Sequence, residues 1–104
     1  TAATGAYGEV EIGGPMDVKT ACDAESGAIK GIASPVVGNA NCLIFPDIEA
    51  GNTFYKTITL FGGATVAGML VGTTAPVVVT SRADTADSKF YSLATACLKA
   101  INKQ

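Results

Sequence analysis

The sequence contains no histidine. That absence removes the Ser-His-Asp triad, the Cys-His dyad and the histidine-ligated zinc site from the chemistry open to this chain. No metal site is expected, and any catalysis has to run on carboxylate, hydroxyl, amine, guanidinium and backbone groups. Charge is scarce too. Only 15% of the residues are charged, the formal net charge is -2, and there is no run of Lys or Arg, so no broad cationic face attracts a nucleic-acid backbone. Long apolar runs are also missing: the stretch Val66 to Val71 is soon broken by Gly, Thr and Pro, well short of bilayer length. The start of the chain lacks a signal-peptide pattern. The expectation is a cytoplasmic protein without nucleic-acid or membrane partners. Neither a Walker sequence nor a dinucleotide fingerprint is present, because the Gly13-Gly14 and Gly62-Gly63 pairs lack the required spacing. Cys22, Cys42 and Cys97 are odd in number and set among apolar neighbours, a pattern expected of buried reduced thiols rather than a disulfide framework.

What is present is apolar. Within 104 residues, 48% are hydrophobic, so much of the chain expects to be covered by another domain or another subunit, and a homodimer is anticipated. Residues 1–8 are small, polar and aperiodic, which reads as a frayed or cut end, leaving 9–104 as one α/β domain or part of one. Glu9 to Ile12 alternates like a half-buried strand and stops at Gly13-Gly14-Pro15. Asp17 is placed to cap a helix carrying Val18, Ala21, Cys22, Ala28 and Ile29, ended by Gly31. Loop chemistry from Ser34 to Asn41 leads into Cys42 to Phe45, an apolar run suited to a central parallel strand. After Pro46, residues Phe54, Ile58 and Phe61 recur at helical spacing until Gly62-Gly63. Val66 to Val71 and Pro76 to Thr80 are β-rich runs whose short connection rules out adjacent parallel pairing and implies a hairpin or bend. A final amphipathic helix sets Phe90, Leu93, Ala94, Cys97, Leu98 and Ile101 on one face, with Ser92, Thr95, Lys99 and Asn102 elsewhere. The predicted order is β-α-β-α-β-β-α, an α/β fold with a mixed, mainly parallel sheet flanked by helices.

Two polar corners stand out where strands are expected to pass into helices. At Thr80 to Lys89, Ser81, Arg82, Asp84 and Asp87 gather around the start of the last helix, where free N–H groups and a guanidinium favour an anion. There Asp84 or Thr85 is also suited to be a plain N-cap, with Asp87 favouring the helix dipole. At Phe45 to Lys56, Asp47, Asn52 and Lys56 bring a carboxylate, an amide and an amine near a helix start, and Gly51 permits close backbone approach. From spacing alone, capping by Asp47 and a solvated Lys56 explain that corner better than a site does. Tyr55 reads as a packing residue with its hydroxyl at the rim. From the residues alone, the result is an anion-binding α/β domain.

Pro46 to Lys56, Gly63 to Gly68 and Pro76 to Asp84 match PDIEAGNxxYK, Gly-Ala-x-Val-Ala-Gly and Pro-Val-Val-x-Thr-Ser-Arg-Ala-Asp. In this order they resemble the carboxyl-terminal part of the phosphate acetyl/butyryl transferases, most closely the butyryl branch, over about Gly14 to Ala100. The resemblance implies an isocitrate dehydrogenase-like α/β fold and reversible transfer of a butyryl or acetyl group from acyl-CoA to inorganic phosphate. Acyl-CoA, coenzyme A and phosphate are then substrates, no cofactor is implied, and the chain is a fragment that lacks the upstream part of its enzyme and is inactive alone. Arg82 becomes the anion clamp and Ser81 a donor to the departing sulfur or the oxyanion. The base is Asp87 or Asp84, since the acetyl branch's acid falls here on Ser88, one step past Asp87. Asp47, Gly51, Asn52, Lys56 and Asp84 become substrate-binding candidates. Similar domains appended to malic enzymes regulate rather than catalyse, which makes a non-catalytic acyl-CoA-sensing module the alternative.

Overall fold

The computed structural model describes residues 5–102. The chain divides into two compact units, Thr1–Phe45 and Pro46–Gln104. Of the expected frayed end, residues 1–4 lie outside the described residues. Residues 5–8 form a turn closed by the Gly8 N–H donating to the Gly5 carbonyl at 3.1 Å.

The first unit holds α1 (Val18–Cys22) and α2 (Ala24–Lys30), which pack together. One helix from Asp17 to Gly31 was expected. The chain instead breaks at Asp23, which is extended at φ -131° and ψ 111°. The physical reason is a competing cap. Asp23 accepts from the Ser26 N–H at 3.3 Å and the Ser26 hydroxyl at 2.7 Å, as Asp17 accepts from the Thr20 N–H at 3.0 Å and hydroxyl at 2.8 Å. Each Asp restarts a helix by satisfying a donor that has no partner in the first turn. Gly31 ends α2 in the left-handed conformation, as its sequence position predicted. The packed residues are small: Thr20, Ala21, Ser26 and Gly27 are buried. Their size lets the 34–40 turns lie on the helices, with the Gly38 N–H donating to Thr20 O and the Ala40 N–H to Ala21 O, both at 3.1 Å.

Asp17 also accepts from Lys30 Nζ at 2.6 Å. The Lys30 bond first, then those from Thr20, hold the Asp17 carboxyl well below its usual 3.8, and Ser26 lowers Asp23 likewise. A carboxyl depressed in the native state stabilises it fully above the unfolded value and loses that contribution as pH falls below it. The urea midpoint is therefore expected to drop between about pH 5 and pH 2, and the drop to be shallower in Asp17→Asn. Both partners of the ion pair are half exposed, so salt should weaken part of the effect. An acid response unchanged in Asp17→Asn would remove this carboxylate from the account.

The second unit holds α3 (Ile48–Phe61) and α4 (Ala86–Ile101). Asp47 caps α3 through the Ala50 N–H at 2.8 Å, and Gly62 closes it. Thr85 caps α4 through the Ser88 N–H at 3.1 Å. Between the helices, one antiparallel bridge pairs Leu70 with Val77, consistent with the bend expected from the short connection.

The expected mainly parallel sheet is not seen among the described residues: Glu9 to Ile12 and Cys42 to Phe45 join no ladder, and Leu70–Val77 is the sole bridge. A β-prone run becomes a strand only where a second backbone supplies the complementary donors and acceptors. The described residues supply that once.

The burial of α4 also departs from expectation. Phe90, Leu93, Leu98 and Ile101 are 65%, 58%, 59% and 78% exposed, whereas the polar Ser92 is buried. Ser92 Oγ accepts the Gly68 N–H at 2.9 Å and donates to the Ser88 carbonyl at 2.7 Å, so its burial leaves no bond unmade. The three cysteines are free thiols, but they are exposed rather than buried, because apolar neighbours such as Ile44 and Leu98 are themselves uncovered. No helix among the described residues is long and apolar enough to cross a membrane.

Candidate functional site

The segment from Ser81 to Asp84 is a tight turn on the approach to α4. The Asp84 N–H donates to the Ser81 carbonyl at 3.1 Å. In return the Asp84 side chain accepts the Ser81 N–H on Oδ2 at 2.7 Å, and Ser81 Oγ accepts the Ala83 N–H at 3.3 Å. Thr85, not Asp84, is the helix cap. This leaves the second Asp84 oxygen to bind elsewhere, and the Tyr55 hydroxyl donates to it at 2.7 Å. Tyr55 lies on α3, so this bond joins the two polar corners.

The join is not at the start of α3. Asp47 is committed to its cap, and Gly51 sits half-buried in the first turns with its N–H on the Asp47 carbonyl at 3.2 Å. Tyr55 is eight residues beyond the cap, about 12 Å along the axis. Asn52 lies three residues before Tyr55 and four before Lys56, so by helical spacing it neighbours both, and Asn52 and Lys56 are exposed. The Lys56 ammonium lies over the Tyr55 ring, 4.7 Å from its centroid, a cation–π contact. Of the residues expected at this corner, Lys56 is therefore set against Tyr55, the residue bonded to the Ser81–Asp84 turn, whereas Asp47 serves the helix end.

Electrostatics follow from the contacts. The Tyr55 bond first, then the Ser81 N–H, hold the Asp84 carboxyl below its usual range, and Lys56 and Lys89 add to this against the effect of partial burial. The same bond, with burial, raises the Tyr55 phenol. A carboxylate kept ionised, with donors on both oxygens, is a poor proton acceptor. Arg82 is exposed and pairs with no carboxylate among the described residues. Asp87 is exposed in the first turn of α4. Two open grooves of the second unit, about 410 and 350 Å³, are lined by Met69 to Pro76 with Lys99, and by Thr65 to Ala67 with Tyr91 and Leu98. Neither reaches Ser81 or Arg82. Tyr55 is the site residue that sequence spacing missed, since nothing local signals a bond spanning 29 residues.

A family model described as phosphate acetyl/butaryl transferase matches residues 4–97. The chain belongs to this family. It is 45% identical to a phosphate butyryltransferase of Clostridium beijerinckii over 93 residues, which cover 89% of the chain and 31% of that protein. It is 43% identical to a phosphate acetyltransferase of Rhizobium meliloti over 91 residues, or 88% of the chain and 29% of the relative. Among solved structures, a branched-chain phosphotransacylase from Enterococcus faecalis V583 superposes with a TM-score of 0.75 at 45% identity, covering 84% of the chain and 33% of the other. The chain thus spans about a third of the length of the relatives it matches. The motifs around Tyr55 and Arg82 fall inside the stretch matched to the family.

Proposed function

We propose that the full protein transfers a butyryl or acetyl group reversibly between coenzyme A and inorganic phosphate, and that this chain supplies part of the cleft in which the transfer occurs. The observation that carries this is Arg82, an exposed guanidinium without a carboxylate partner, on a pinned turn one residue from Ser81 in a member of this family. A guanidinium fork matches phosphate geometry, and the first turn of α4 adds N–H donors and a favourable dipole. A phosphate oxygen attacks the thioester carbonyl, forming a C–O bond and a tetrahedral oxyanion. Collapse breaks the C–S bond and releases the coenzyme A thiolate. Arg82 holds the nucleophile and offsets its charge. The Ser81 oxygen accepts a bond from Ala83, which leaves its O–H to donate to the oxyanion or the departing sulfur. With both oxygens of Asp84 occupied, Asp87 is the carboxylate of this corner suited to accept a proton from phosphate. This chain supplies no histidine to make Ser81 a nucleophile, which favours direct attack by phosphate over an acyl-serine.

The test is phosphate-dependent release of free thiol from butyryl-CoA and acetyl-CoA by the full protein. Turnover requiring phosphate is the expected result. Acyl-CoA binding without turnover at saturating phosphate would overturn the proposal in favour of an acyl-CoA sensor.

A further inference from the structure

The Tyr55–Asp84–Ser81 contacts have a consequence for Arg82. A carboxylate two residues from an arginine on a tight turn is a ready partner for it. In this chain that carboxylate is engaged elsewhere: one oxygen takes the Tyr55 hydroxyl and the other the Ser81 N–H, both at 2.7 Å. Lys56 and Lys89 add positive charge that favours the ionised Asp84 carboxylate. Arg82 is left without a carboxylate partner among the described residues. We propose that Tyr55 and Asp84 are positioning residues, which fasten the Ser81–Arg82 turn to α3 and keep the Asp84 carboxylate from neutralising the Arg82 guanidinium. This rests on Arg82 being the phosphate-binding group. It gives Tyr55 a role that acts through Arg82, and it takes Asp84 out of the set of candidate bases.

Geometry makes the device economical. A Tyr hydroxyl has one proton to donate, and the raised phenol keeps that proton in place across the neutral range. The bond joins segments 29 residues apart, so the turn is referred to the rigid body of α3 rather than to its own neighbours. Loss of the hydroxyl frees one carboxylate oxygen on a residue two positions along the turn from Arg82. Phosphate would then compete with an internal anion, and the turn would lose a tether that fixes where the guanidinium points.

A double-mutant cycle in the full protein tests this, with inorganic phosphate and butyryl-CoA as substrates. Tyr55→Phe is expected to lower kcat/KM for phosphate about tenfold, while KM for butyryl-CoA stays within about twofold. In an Arg82→Ala background, Tyr55→Phe should have no further effect, because its influence passes through the missing guanidinium. Asp84→Asn keeps the side-chain shape but offers one acceptor to two donors and leaves no carboxylate to compete for Arg82. It loosens the tether alone, should lower kcat/KM for phosphate by less than Tyr55→Phe and likewise lose its effect in the Arg82→Ala background, and serves if Tyr55→Phe does not fold by circular dichroism. Unchanged kcat/KM in both single variants, with Arg82→Ala impaired, would overturn the positioning role alone. Losses that multiply in the Arg82→Ala background would also overturn it, since they signify general packing. Full activity in Arg82→Ala would overturn the site itself and this role with it.

Discussion

Arg82→Ala in the full protein is expected to reduce phosphate-dependent thiol release by about a hundredfold or more, the scale of losing a preorganised group that meets transition-state charge. Structure makes this substitution clean. Arg82 is exposed and unpaired with any carboxylate among the described residues, so its removal breaks no ion pair there, and stability should stay within about 0.5 kcal/mol. Arg82→Lys keeps the charge but loses the planar fork, and should fall between wild type and alanine. Steady-state kinetics with phosphate varied at saturating butyryl-CoA, alongside an unfolding curve for each variant, would separate a chemical loss from a folding loss. An alanine variant as active as wild type would remove Arg82 from the mechanism.

Gly38→Ala should destabilise the first unit by about 3 kcal/mol, the sum of a left-handed backbone penalty and an unrelieved clash. Gly38 has φ +73°, and a Cβ there would lie 2.7 Å from the N, Cα and Cβ atoms of Ala24. Those backbone atoms belong to the first turn of α2 and cannot swing aside as a flexible side chain can. Gly38 is also tied by its N–H to Thr20 O, so shifting the loop sacrifices a bond. Gly31 supplies the control. At φ +67° a Cβ there meets nothing within 4 Å, and Gly31→Ala should cost only the backbone penalty, about 1 kcal/mol. Equal urea midpoints for the two variants would show that the close approach of the loop to α2 is unimportant.

The sequence is legible where the physics is local. Asp17 and Asp47 cap helices, Gly31 and Gly62 end them, and α4 runs from Ala86 to Ile101, because each depends on donors and dihedrals within a few residues. The break at Asp23 was also local, yet hidden, since Asp23 and Ser26 repeat the Asp17 and Thr20 spacing inside a stretch of tolerable helix formers. Strands were less legible. The runs at Cys42 to Phe45 and Pro76 to Thr80 carry β-branched or apolar residues, but pairing depends on a second backbone that composition cannot specify. Burial on α4 failed for the same reason: the stripe from Phe90 to Ile101 marks a surface suited to cover, and the described residues do not cover it. At the candidate site, Ser81, Arg82 and Lys56 were singled out by residue type and spacing. Tyr55 was not, because its importance arises from one bond to Asp84 made only after the chain folds.

Ser92 gives α4 something that its apolar side chains cannot. A hydrophobic stripe tolerates rotation of a helix by tens of degrees, whereas the bond from the Gly68 N–H to Ser92 Oγ holds at one azimuth only. Because Ser92 also donates to the Ser88 carbonyl, and the Ser88 N–H reaches the Thr85 cap, a continuous set of bonds runs from the Gly68 segment to the mouth of α4. The rotational register of this helix, and with it the heading of Asp87 in its first turn, is keyed to a single buried oxygen.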